Sequence, residues 1–114
     1  PTYAPGSTMV IATTAMFLST LSLAVTPETV AVGDPLTISG QLWPKISTTI
    51  YLFYCSGASP WTLATTIATK SDGSYSITVN IPPIPKGTYD LVAVWLGSKT
   101  NKGAVSEIRS FTVV

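Results

Sequence analysis

The side chains able to do chemistry are few. Histidine is absent, so Ser-His-Asp and Cys-His nucleophile arrangements cannot be assembled and no imidazole can ligate a metal. The five carboxylates, Glu28, Asp34, Asp72, Asp90 and Glu107, are scattered along the 114 residues. A glycosidase-type pair would need two of them about 5–10 Å apart, and nothing in their spacing points to one. Asp34 and Asp72 sit in the turn signals Gly33-Asp34-Pro35 and Asp72-Gly73, where bonds from side chain to backbone explain them. Neither an Asp/Asn-rich calcium loop nor a glycine-rich phosphate loop occurs. Cys55 has no disulfide partner and lies in an apolar run without a basic neighbour, the setting of a buried, inert thiol. The chain is therefore expected to be no enzyme, with no metal and no cofactor.

Composition agrees with a structural or binding role. Charged residues make up 10% of the chain, well under the roughly 25% of ordinary soluble domains. Six Lys and Arg against five Asp and Glu form no basic stripe, which argues against a nucleic-acid partner. Polar surface must come instead from serine and threonine, 31 residues together. Such hydroxyl-rich, charge-poor composition suits an extracellular, cell-surface protein. A chain beginning at Pro1 is expected to be a mature, processed form. Neither asparagine, at Asn80-Ile81-Pro82 or Asn101-Lys102-Gly103, lies in a glycosylation sequon, so any glycan is expected O-linked on Ser or Thr.

Short alternating segments separated by turn signals follow one another from about residue 20, and no helical periodicity competes with them. Leu21, Leu23 and Val25 alternate with small polar residues up to Pro27, and Val30 and Val32 precede the Gly33-Asp34-Pro35 turn. Leu36, Ile38, Gly40 and Leu42 read as a half-buried strand, and Thr48 to Cys55 is apolar on both faces. Trp61, Leu63, Thr65 and Ile67 alternate with Thr62, Ala64, Thr66 and Ala68. Lys70-Ser71-Asp72-Gly73 predicts a hairpin into a strand with Tyr75, Ile77 and Val79 inward. Pro82, Pro83 and Pro85 form a stiff connection to the core strand of Tyr89, Leu91, Ala93 and Trp95. A last strand ends at Phe111 and Val113, with a bulge expected near Arg109. The fold class is all-β: a single Ig-like β-sandwich of about seven strands over residues 20–114, plus a short A′ segment.

The strings Val32-Gly33-Asp34-Pro35-Leu36-Thr37-Ile38-Ser39-Gly40 and Ser71-Asp72-Gly73-Ser74-Tyr75-Ser76 resemble the A′–B region and the D–E hairpin of prokaryotic Ig-like surface domains. Lys86-Gly87-Thr88-Tyr89-Asp90-Leu91-Val92-Ala93 is similar to the start of their strand F, which implies a tyrosine corner at Tyr89. The resemblance covers about 95 residues and departs from antibody domains in lacking the inter-sheet disulfide. It speaks to fold, and not to activity.

Residues 1–19 are then surplus to the sandwich. No charged side chain precedes Glu28, and Ser7 to Ser19 is free of Gly and Pro and rich in β-branched residues. A segment of this kind has to be buried, and three placements satisfy it. A membrane is one, but once the strand from Leu21 is set aside only about 12 uncharged residues remain, too few for the ~20 of a spanning helix. No stable membrane span is thus expected. The same arithmetic weakens a type IV pilin-like or archaellin-like reading, which needs a long N-terminal helix. The chain's own sandwich is the second placement, as an extra N-terminal β-strand. The third is another copy of the same chain. There Met9, Ile11, Ala15 and Phe17 would fill pockets on one face with Thr13 between them, and Val10 lies on the second face. That arrangement resembles the donor-strand-complemented subunits of archaeal thread-like filaments and, more distantly, bacterial chaperone–usher pilins. Unlike those pilins, this chain has its own last strand in Ala104 to Val114. Tyr51 and Phe53 on one strand and Val92 and Val94 on another are a candidate contact patch, with Cys55 beside them. The leading expectation is a pilin-like subunit of an extracellular filament, a head-to-tail homopolymer. The alternative is a monomeric Ig-like adhesion or display module.

Overall fold

The structure, a computed structural model, describes residues 17–57 and 59–114. Ten strand segments are built from the expected alternations: β1 (Thr20–Leu21), β2 (Ala24–Thr26), β3 (Thr29–Val30), β4 (Pro35–Trp43), β5 (Thr49–Ser56), β6 (Thr62–Ala68), β7 (Ser74–Asn80), β8 (Gly87–Trp95), β9 (Ala104–Val105) and β10 (Arg109–Val113). They form two sheets packed face to face, and the described residues contain no helix. In the first sheet β4 is central, with β7 antiparallel along one edge and β1 and β2 end to end along the other. In the second the order is β3-β10-β8-β5-β6, with β9 beside β8 and β3 parallel to β10.

The core is what alternation predicts. Leu36, Ile38 and Leu42 from β4 share one core with Ile50 and Leu52 from β5 and with Tyr89, Leu91, Ala93 and Trp95 from β8, which lies beside β5 in the facing sheet, all buried. Tyr89 donates its hydroxyl to the Pro85 carbonyl at 2.7 Å and stacks on Phe111 with ring centroids 5.5 Å apart. This is the geometry of a tyrosine corner, where an aromatic ring ties the incoming loop to the strand that follows.

Two local expectations are refined. The Lys70–Ser74 turn forms as its residues demand: Gly73 has φ +83°, and the Asp72 carboxylate accepts from both the Ser74 backbone N–H at 2.9 Å and its hydroxyl at 2.6 Å. It is not a hairpin, however. β6 belongs to the second sheet and β7 to the first, so the turn carries the chain from one layer to the other. The turn is held against β4, where the Leu42 N–H donates to the Gly73 carbonyl and Gln41 Nε2 to the Asp72 carbonyl. The bulge expected near Arg109 lies just before it, where Ser106, Glu107 and Ile108 oppose only Val92 and Ala93. The Ser106 hydroxyl accepts the Ala93 N–H at 2.9 Å in place of a ladder carbonyl, which fills the gap a bulge leaves.

The first sheet is locked by one side chain. Tyr75 lies opposite Gly40 in register, and its hydroxyl passes over the glycine to donate to the Ser22 carbonyl between β1 and β2. A Cβ on residue 40 would collide with both that carbonyl and the Tyr75 hydroxyl. Burial in this apolar setting pushes the Tyr75 phenol up to about 12.

Gly40→Ala should therefore destabilise the domain by about 2 kcal/mol or more and Tyr75→Phe by about 1 kcal/mol, read by denaturant unfolding. Because the folded phenol is raised above its ordinary value near 10, its contribution is complete below pH 10. It is lost as pH rises towards 12, and the Tyr75→Phe variant should show a shallower alkaline loss than the native chain.

Candidate assembly interface

Three features could make contact with a partner: the root of the N-terminal segment, the outer face of the second sheet, and a cleft at one side of the sandwich. Met9, Val10, Ile11, Thr13 and Ala15 lie outside the described residues. Phe17 is described. Its N–H donates to the Thr100 carbonyl and its carbonyl accepts from the Lys102 N–H, both at 2.9 Å, making a parallel bridge to Asn101. Phe17 is 68% exposed.

The patch residues are brought together by register. Tyr51 pairs with Val94, and Phe53 with Val92, across β5 and β8. Tyr51, Phe53 and Val94 are half-buried and Val92 is buried. Cys55 is also buried, and burial followed by the neighbouring Asp90 carboxylate pushes its thiol pKa up. The more exposed part of this face was not read from the sequence. Val105 pairs with Val94 and is 65% exposed, and Ile108 is exposed where the bulge turns it outward. A bulge shifts alternation by one residue, so periodicity alone could not place Ile108.

The cleft follows from how the sheets diverge. β6 and β7 start together at the Lys70–Ser74 turn, where Ile67 and Tyr75 are buried, and separate towards their far ends. β6 carries a register shift against β5 at Ala64, and beyond it Trp61 and Leu63, which alternate in step with the buried Ile67, are exposed. The result is a cleft of ≈ 470 Å³ whose floor includes the core residues Leu36, Leu52 and Phe111, and whose walls include Leu63, Val79 and Ile84. No charged side chain lines it. The proline-rich connection after β7 contributes Pro82 and Ile84 to this cleft.

Four of the five carboxylates serve local structure. Asp34 accepts the Ala31 N–H at 3.1 Å, Asp90 the Ser110 hydroxyl at 2.6 Å, and Glu107 pairs with Arg109 at 2.8 Å. The Ser74 hydroxyl, then its N–H, hold the Asp72 carboxyl below its ordinary pKa. Among the described residues no three His, Cys, Asp or Glu side chains cluster as metal ligands, and no helix is long and apolar enough to cross a membrane.

No family model matches this chain, and no curated protein does. Among solved structures it is similar to a chain in a structure of T cell specificity and activation by the bacterial superantigen toxic shock syndrome toxin-1. That match has 18% identity and a TM-score of 0.57 and covers 84% of this chain and 99% of that one. It is also similar to the sulfur carrier protein SoxY from Chlorobium limicola f thiosulfatophilum, with 13% identity and a TM-score of 0.51, over 96% of this chain and 94% of that one. At these identities the likeness is one of fold alone.

Burial and a raised pKa both slow thiolate chemistry. Native Cys55 should react with iodoacetamide at pH 8 at least about tenfold more slowly than in urea-unfolded protein, followed by mass spectrometry.

Proposed function

We propose that this protein is the structural, pilin-like subunit of an extracellular filament, polymerising head to tail through its N-terminal strand. The observation that carries the reading is the surplus of residues 1–16. Strand segments from Thr20 onward already form both sheets and their shared core, while the segment before them is apolar, uncharged and fit for burial on both faces. A contact between one copy's N-terminal segment and another copy's sandwich is heterologous and does not close, so its repetition produces a filament. The scarcity of charge and the abundance of Ser and Thr for O-linked glycans fit an appendage on the cell surface.

A second reading is a monomeric Ig-like adhesion or display module, favoured by the exposed Val105 and Ile108 beside Tyr51 and Val94 on one sheet face. Negative-stain electron microscopy of the full chain at neutral pH separates the two. The filament reading expects uniform threads one subunit wide, lost when residues 1–16 are deleted. Dispersed particles from the full chain would favour the module, and threads that persist after the deletion would remove the N-terminal strand as their link.

A further inference from the structure

We infer that the cleft between β6 and β7 is the acceptor site for residues 7–16 of a second copy, which pair along the free edge of β7; this rests on the filament reading above. Four observations lead there.

The first is an open edge. The two sides of the sandwich are finished differently. On one side the chain itself passes from β2 in the first sheet to β3 in the second, and Arg109 Nε donates to the Leu23 carbonyl at 3.1 Å across the gap. On the other side, among the described residues, β7 pairs only with β4 and β6 only with β5. Sheet edges are normally protected by a charge, a proline or a bulge. β6 has its bulge at Ala64. β7, Ser-Tyr-Ser-Ile-Thr-Val-Asn, has none of these and keeps unbroken register with β4 over all seven residues. It is an unprotected template for one more strand.

The second is a floor of hydrophobic core. Leu36, Leu52, Leu91 and Phe111 border the cleft, so a strand added at β7 would turn alternate side chains onto core atoms, not onto water. A leucine-sized hole occupies about 150 Å³, and 470 Å³ therefore has room for about three aliphatic side chains.

The third is a match of character. The lining holds no charge, and Ser7-Thr8-Met9-Val10-Ile11-Ala12-Thr13-Thr14-Ala15-Met16 has none either, nor any Gly or Pro to interrupt pairing. Ten extended residues reach ~33 Å against the ~23 Å of β7, enough to run its whole edge.

The fourth is polarity. Phe17 is anchored at the pole formed by the 97–103 loop and the Trp43 end of β4, because Thr20 pairs with Trp43. The cleft is closed at that pole by the Lys70–Ser74 turn and opens at the opposite one, where Asn80, Ile81 and Pro82 line it. The donor root and the acceptor mouth thus lie at opposite ends of one domain, as end-to-end repetition requires.

Covalent trapping in the full chain tests this. In a Cys55→Ser background, Thr65→Cys on β6 is combined with a cysteine at Met9, Ile11 or Thr13, and each protein is assembled, oxidised and run on a non-reducing gel. A ladder of disulfide-linked multimers from at least one pairing, alongside threads in the microscope, is the expected result. A fast-migrating monomer, closed on itself, would assign the cleft to the chain's own segment and overturn the proposal. Threads with neither product would place the acceptor elsewhere and leave the filament reading standing. Absence of threads from the native chain would remove both. As an independent check, Thr65→Arg, which places a charge in the apolar cleft, should abolish threads, while Ala24→Arg on the exposed face of the first sheet retains them. Threads from a folded Thr65→Arg protein would count against the cleft.

Discussion

The passage of the Tyr75 side chain over Gly40 to the Ser22 carbonyl ties three strands with one hydrogen bond. β1 and β2 are short, three residues at most, and both depend on β4 for their pairing. Ser22 supports them further: its N–H donates to the Gln41 carbonyl and its hydroxyl accepts the Gln41 N–H. Without this clamp the edge strand that leads back to Phe17 would hang on a few ladder bonds. The root of the N-terminal segment is therefore held from two directions, by the tyrosine–glycine contact on the neighbouring strands and by the bonds of Phe17 to Thr100 and Lys102. In a fold that has no disulfide, that contact substitutes for a covalent tie between the first strand and the rest.

The same sheet explains why the sandwich is asymmetric. Turning from β6 into β7 at Lys70–Ser74 changes layers, so the two strands are joined at one end and free to separate at the other. Gly73 makes the join tight: a Cβ there would collide with the Leu42 carbonyl. The register shift at Ala64 then carries β6 away, and the core is left reachable from one side. On the opposite side the chain closes its own gap through β3, with Arg109 reaching across to Leu23.

Much of this was legible in the residues. Alternation marked the buried positions of β4 and β8 because one face of each strand meets the other sheet and the other does not. Asp34 and Asp72 announced turns because their carboxylates satisfy nearby N–H groups, as both do. Tyr51, Phe53, Val92 and Val94, read from two separate strands, are neighbours by cross-strand register, but Val92 is buried and the other three are half-buried. Trp61 and Leu63 share the alternation of the buried Ile67 yet are exposed, because a bulge moves side chains off the face that period-two counting assigns them.

By itself the sequence determined an all-β sandwich, its turns, its inward-facing residues and the poverty of its chemistry, all of which follow from local patterns of side-chain polarity and backbone preference. Only the tertiary structure decided that the Asp72-Gly73 turn crosses between sheets and does not close a hairpin. A turn's residues set its local angles, whereas the layer its second strand joins depends on the whole apolar surface to be covered. The cleft was likewise invisible along the chain. Its floor and walls come from β4 to β8, β10 and the proline-rich connection, and only the divergence of two strands in space leaves them uncovered together.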